Sequence, residues 1–143
     1  MKFTKTTEYA LRILSYMAMD ENKLYTANDI FNDLKIPFRY LRKQLTILSK
    51  SGLMMSVQGI RGGYKMARRP DEIFLSDIVQ ATGENIFEKE CFFGFQDCAL
   101  MQKCAMHDKW LGVNEKIAEV LSTTNLAELK SKDLPDFLQN NNL

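Results

Sequence analysis

The stretch from Lys35 to Arg69, KIPFRYLRKQLTILSKSGLMMSVQGIRGGYKMARR, holds nine Lys or Arg residues and no Asp or Glu. The full chain of 143 residues balances 19 basic against 18 acidic side chains, so a one-signed block of this length is not a composition effect. Positive charge segregated in this way faces a polyanion, with nucleic acid the first candidate; the bland alternative is a solvated basic face. The block has two geometries. Pro37 to Lys50 has helical spacing, and Leu53 to Ala67 reads as two strands around Gln58-Gly59-Ile60-Arg61-Gly62-Gly63. A basic helix followed at once by a basic hairpin is the order of a winged helix-turn-helix.

In that helix Phe38, Leu41, Leu45 and Leu48 form an apolar stripe. Arg39, Arg42, Lys43 and Thr46, with Tyr40 and Gln44 beside them, are expected on the other faces. The expected readout is Arg39 to guanine, Gln44 to adenine, and Tyr40 to a phosphate or a thymine methyl. Thr26, Phe38, Arg42 and Lys43 complete the candidate DNA contacts of the helix-turn-helix. In the wing, Arg61 and Gly62 are placed for a narrow minor groove, where negative potential concentrates.

Outward from the block, Thr6 or Thr7 is expected to cap a first helix with Glu8 in its first turn. Ala10, Ile13, Leu14, Met17 and Ala18 carry that helix to about Asp20. Thr26 with Asp29 predicts the start of a second helix, Pro37 the first position of the third, and Ser51-Gly52 its end. A short helix is expected over Phe74 to Ala81, with Thr82-Gly83 as its stop and as the domain boundary. Residues 84–104 have no clean period. From Ala105 to about Ser122, Trp110, Val113, Ile117, Val120 and Leu121 recur at amphipathic spacing, in a helix expected to pair with a second copy. Thr123 to Lys130 predicts a further turn, and residues 131–143 read as a loose tail. The expected fold is mainly α with a small β-hairpin wing. It comprises a DNA-binding domain over 1–83, a cysteine-bearing loop over 84–104, and a dimerisation helix and short C-terminal helix over 105–130.

Residues 1–82 carry a formal charge of +5 and residues 83–143 carry −4, so only the first part suits phosphate. No apolar run approaches the roughly 20 residues of a membrane span, and the N-terminus lacks a signal peptide's apolar stretch. A cytoplasmic protein with no membrane partner is expected. One histidine, no nucleotide-binding glycine loop and no Ser–His–Asp set argue against an enzyme with a small-molecule substrate.

Cys91, Cys98, Cys104 and His107 gather within one segment, around Gly94. In a reducing compartment this favours metal or redox chemistry over a structural disulfide. Three thiolates and an imidazole suit a zinc ion or an iron–sulfur cluster, and thiol redox chemistry and plain packing are the other readings. Glu8 is an alternative fourth ligand, reaching in from helix one of the same or the partner subunit.

These residues resemble the bacterial winged-helix regulators typified by IscR and NsrR, over about residues 1 to 130. The likeness is carried by Tyr9-Ala10-Leu11-Arg12, Tyr40-Leu41, Leu48, Gly52-Leu53, Arg61-Gly62-Gly63-Tyr64 and Asp77-Ile78-Val79. The three cysteines, Trp110 and Leu126-Ala127-Glu128-Leu129 complete it. The resemblance implies a homodimer on a near-palindromic site in double-stranded DNA, most often as a repressor. It also implies an iron–sulfur cluster, 2Fe–2S or 4Fe–4S, on Cys91, Cys98 and Cys104, with His107 or Glu8 as fourth ligand. Redox state, nitric oxide or iron–sulfur status would then set DNA affinity. The chain departs from the pattern in having six residues between the first two cysteines where five is usual, and in carrying Arg42 where the recognition helix commonly has an acidic or neutral residue. The alternatives are a thiol- or zinc-dependent redox switch without a cluster, and a metal-binding winged-helix protein that docks a protein partner.

Overall fold

The structure, a computed structural model, describes residues 3–86, 91–95 and 104–130. Helix α1 spans Lys5–Met17 and continues as a 3-10 turn over Ala18–Asp20. Its cap is Thr4, whose hydroxyl accepts from the Thr7 amide at 3.3 Å, not Thr6 or Thr7 as the sequence suggested. Thr7 is fully buried instead, and its hydroxyl is engaged by Thr82 at 2.6 Å and by Glu84. That contact ties the chain leaving the DNA-binding half to the first turn of α1.

Helix α2, Ala27–Leu34, begins at the expected capping box: Asp29 N donates to the Thr26 hydroxyl and Thr26 N to the Asp29 carboxylate, both at 3.0 Å. It ends at Lys35, which holds a left-handed φ of 55°. That conformation costs a non-glycine residue roughly 1 kcal/mol, and it makes the tight turn into α3. Helix α3, Phe38–Lys50, starts one residue later than expected, because Pro37 keeps an extended ψ of 131° and serves as the N-cap. Gly52, at φ 78°, turns the chain out of the helix.

Strands β1, Met54–Val57, and β2, Gly63–Met66, pair antiparallel, with Met54 opposite Met66 and Val57 opposite Gly63. A contact the sequence did not reveal fixes this hairpin to the helices. Tyr25 exchanges backbone bonds with Tyr64 at 2.8 and 2.7 Å, adding a one-residue third strand. A side chain on Gly63 would run into the Tyr25 carbonyl, and one on Gly62 into the Val57 carbonyl, so both glycines are dictated by close backbone approach.

A 3-10 turn at Pro70–Glu72 leads to α4, Leu75–Ala81, and after the cysteine-bearing stretch comes α5, His107–Thr123. Helix α5 begins at His107 rather than Ala105. A closing 3-10 turn over Leu126–Leu129 returns to the first domain: Leu126 N donates to the Ile73 carbonyl at 2.9 Å, and Leu126 is buried in the main core. The main core joins Ile13, Leu14 and Met17 of α1 to Ile30 and Leu34 of α2 and to Leu41 and Leu48 of α3, all fully buried. Each such side chain contributes about 1.5–3 kcal/mol on leaving water. A smaller cluster of Val79, Ile86, Ala118 and Leu121 fastens α5 to α4. The predicted tail, residues 131–143, lies outside the described residues. No described helix is long and apolar enough to cross a membrane.

Candidate nucleic-acid interface and cysteine site

Helix α3 buries Leu41, Gln44, Leu45 and Leu48 and leaves Arg39, Arg42, Lys43 and Thr46 exposed. None of Arg39, Arg42, Lys43, Lys50 or Arg61 forms an ion pair with a described residue. Their charge is therefore left to solvent or a ligand. The last two basic residues of the block behave differently: Arg68 donates to the Glu72 carbonyl at 2.6 Å, and Arg69 pairs with Asp71 at 2.9 Å.

Two of these cations, Arg39 and Arg42, are held on aromatic rings. Arg39 donates to the Tyr40 hydroxyl at 3.0 Å with its guanidinium 4.9 Å from that ring. Tyr40 meets Tyr9 of α1 at 5.9 Å between ring centroids, and Arg12 lies 5.8 Å from the centre of Tyr9. One turn along, Arg42 lies 5.4 Å from the centre of Phe38, itself edge-on to Phe31 at 5.7 Å. Stacking fixes each guanidinium plane while leaving donors for phosphate or a base edge. Tyr9 and Arg12 thus join this face, although the sequence reading gave them no contact role. Their signal was the spacing of three on α1, which sets them on one side of the helix.

Gln44 does not point to DNA. Its side chain is fully buried, and neither amide atom has a hydrogen-bond partner. Positions 41, 44, 45 and 48 form one helical stripe, and the stripe overrides the polarity of the residue. Thr26 is exposed at the start of α2, and Phe38 is half-buried with its ring under Arg42. Arg61 is exposed at the wing tip beside Ile60, a fully exposed apolar side chain that sequence reasoning passed over.

Two buried tyrosines brace the helix-turn-helix from behind. The Tyr16 hydroxyl of α1 donates to Asp33 of α2, and burial together with that carboxylate pushes the phenol well above its ordinary value. Tyr16 is edge-on to Tyr25 at 5.2 Å, and burial pushes the Tyr25 phenol up as well.

Of the cysteines, Cys91 and Cys104 are half-buried, and Cys98 lies outside the described residues. Gly94, at φ 80°, donates from its amide to the Cys91 carbonyl at 3.0 Å and closes a turn. Phe92 then packs on Trp110 at 5.2 Å, which brings the Cys91 segment to the first turns of α5. His107 opens that helix three residues after Cys104, its amide donating to the Cys104 carbonyl at 3.2 Å, with Met106 as the N-cap. Glu8 is ion-paired with Lys5 at 2.9 Å. Among the described residues no three His, Cys, Asp or Glu side chains are gathered as a metal ion would need. Cys91, Cys104, His107 and Glu8 thus do not complete a site in one copy without Cys98 or a second chain. Three thiols and an imidazole within one stretch of sequence are nevertheless a donor set whose chemistry suits an iron–sulfur cluster.

The chain is similar to known transcriptional regulators in sequence and in fold. The HTH-type transcriptional regulator NsrR of Geobacillus kaustophilus is 34% identical over 131 residues, covering 90% of this chain and 89% of the relative. The structure of CymR, described as the global cysteine regulator of B. subtilis, superposes with a TM-score of 0.78 at 25% identity, covering 90% of this chain and 95% of that one. IscR of T. potens superposes with a TM-score of 0.70, also at 25% identity, covering 90% and 85%. The sequence matches the family described as "Rrf2: Iron-dependent Transcriptional regulator" over residues 3–132. The chain belongs to the Rrf2 family, a winged-helix family of transcriptional regulators and not of enzymes.

Proposed function

We propose that the protein is a homodimeric, sequence-specific regulator whose affinity for near-palindromic DNA is set at its cysteine-bearing segment. The observation that carries the reading is the set of ring-stacked Arg39 and Arg42, unpaired by any described acid, on the helix that follows a capped α2. Helix α3 enters the major groove with Arg39, Tyr40, Arg42 and Lys43, and the wing carries Arg61 and Gly62 to the minor groove. Thr26 at the start of α2 meets a phosphate. Two copies present two recognition helices, which must stand roughly 34–36 Å apart to meet successive major grooves.

Cys91, Cys98, Cys104 and His107 hold an iron–sulfur cluster in this reading, which when bound supplies a centre responsive to redox state and nitric oxide. His107 is preferred over Glu8 because it adjoins Cys104, while Glu8 is engaged by Lys5. The chain's own part is mechanical. Phe92 rests on Trp110, so a change in the Cys91 turn bears on α5 and through α5 on the spacing of the recognition helices. A cluster-free thiol switch is the second reading, favoured by Cys91 and Cys104, which are only half-buried and in no disulfide with each other.

Protein purified without oxygen decides between them. Thiolate-to-iron absorption bands with matching iron and acid-labile sulfide, lost in Cys91→Ala, are the expected result. Colourless, iron-free protein that loses DNA affinity on mild oxidation and regains it with reductant establishes the thiol switch instead. Affinity for duplex DNA must fall steeply with salt under either reading, since several phosphate contacts release counterions. A shallow slope overturns DNA as the partner and favours an acidic protein.

A further inference from the structure

The exposed side of α5 reads the same from either end. Trp110, Val113, Ile117 and Val120 are spaced three, four and three apart, so the set maps onto itself about position 115 when the helix is turned end for end. An isologous antiparallel pairing sets Trp110 opposite Val120 of the partner subunit, and Val113 opposite Ile117 of the partner subunit. Val113 and Val120 are 44% and 48% exposed, while Ala118 and Leu121, on the adjoining side, are buried against α4. One continuous apolar arc is therefore half covered, and its open half is self-complementary. A second copy of this chain is the occupant that such symmetry fits.

Each end of that arc carries something further. At the N-terminal end, Phe92 packs on Trp110 and Phe93 lies across Phe92 at 5.0 Å. Phe92, Phe93 and Phe95 are 48%, 61% and 63% exposed, three aromatic rings within four residues of Cys91. At the other end, an apolar groove of about 310 Å³ is lined by Phe3, Lys116, Ile117, Val120 and Leu121. Positions 110 and 120 lie about 15 Å apart along the helix, so antiparallel pairing brings the aromatic end of one copy over the groove of the other.

We propose that Phe92, Phe93 and Phe95 of each copy seat in the groove formed by Phe3, Ile117 and Val120 of the partner subunit. The segment that begins at Cys91 is then part of the dimer interface, and chemistry at that cysteine is felt directly by the partner. The inference rests on the homodimer proposed above and adds the trans contact to it.

Sedimentation equilibrium of the full chain in reducing buffer tests the contact, with Trp110, the sole tryptophan, reporting through its emission on dilution. The double variant Phe93→Ala/Phe95→Ala removes exposed rings, and its dimer dissociation constant is expected to rise about tenfold or more. Phe3→Asp damages the groove and weakens the dimer comparably; Val120→Asp replaces it should Phe3→Asp lose helical circular dichroism. An equal mixture of aromatic-segment and groove variants forms heterodimers that keep one intact segment-and-groove pair, so association recovers toward wild type.

An unchanged constant in the aromatic-segment variant leaves the groove to another occupant or to solvent and overturns the proposal. Weakening without recovery on mixing also overturns it, because the rings then act within their own copy. A wild-type chain that stays monomeric overturns the homodimer itself, an outcome distinct from failure of the trans contact.

Discussion

In the winged domain Ile13, Leu14, Met17, Leu41 and Leu48 are fully buried, whereas ten residues beyond α4 Phe92, Phe93 and Phe95 leave about half to two thirds of their surface in water. Both regions are rich in large apolar side chains, and only one encloses them. The first closes on itself through elements adjacent in sequence, with the Tyr25–Tyr64 bonds and Leu126 as long-range clasps. Among the described residues the second leaves its rings largely uncovered, as the proposed contact with a second copy requires. Stability thus rests in the first region, and in the proposed reading responsiveness rests in the second.

The sharpest way to break this contrast is to remove one side chain from each. Leu48→Ala is expected to lower the unfolding free energy by about 2–5 kcal/mol, as cavity formation in a rigid core does. Phe95→Ala is expected to change it by less than about 0.5 kcal/mol, measured by urea unfolding at concentrations too low for association to contribute. Comparable losses at the two sites would mean that the aromatic segment packs within its own copy, and the contrast would fall.

A finer comparison lies within α3. Arg39→Ala is expected to weaken DNA binding by about 1–3 kcal/mol, roughly 5- to 150-fold, and Arg42→Ala to flatten the salt dependence by about one phosphate contact. Gln44→Leu, on the same helix but on its buried side, is expected to leave the DNA affinity within about twofold and to stabilise the fold by about 1–2 kcal/mol. It removes two buried polar atoms that have no partner. A large loss of affinity in Gln44→Leu with stability intact would show that the side chain swings outward on DNA and that its buried position is a stored state.

Gln44 also shows where reading from sequence stops. The three helices of the first domain and the hairpin were legible because 3.6- and two-residue periods, the Thr26 box and Gly52 are local signals. The exposure of Arg39, Arg42, Lys43 and Arg61 was accessible to the same logic, since a charged side chain seldom goes inside unpaired, and Thr26 was placed by its cap. A neutral amide carries no such constraint, so helix phase decided for Gln44 where chemistry had suggested a base. Leu126 packing under Ile73, and Tyr25 pairing with Tyr64, depend on residues roughly 40 to 50 positions away and leave no mark in any window. The cysteines were visible as a group. Their mutual arrangement was not, because irregular backbone has no period to read and one of the three lies outside the described residues.

The smallest expected effect tests whether Thr26 is scaffold, contact or both. Its hydroxyl accepts the Asp29 amide, and its own amide donates to the Asp29 carboxylate; these bonds hold that carboxyl below the usual carboxylate range. Thr26→Ala is expected to cost about 1 kcal/mol at neutral pH, as removal of a cap does. A depressed folded pKa means that the Asp29 contribution is present above the ordinary carboxylate pKa, near 4, and is lost as pH falls through the lower folded value. Thr26→Ala keeps the backbone donor to Asp29 and loses only the hydroxyl, so its stability gap to wild type should narrow by the hydroxyl's share as pH falls through the lowered Asp29 value in urea titrations. A gap that stays constant with pH would mean that the hydroxyl does not act on that carboxylate. Thr26→Ser keeps an oxygen acceptor in place and should restore both the cap and, if the hydroxyl also donates to a phosphate, the few-fold of DNA affinity that Thr26→Ala loses. Restored stability without restored affinity would make Thr26 a scaffold residue alone, and the contact surface would begin at α3.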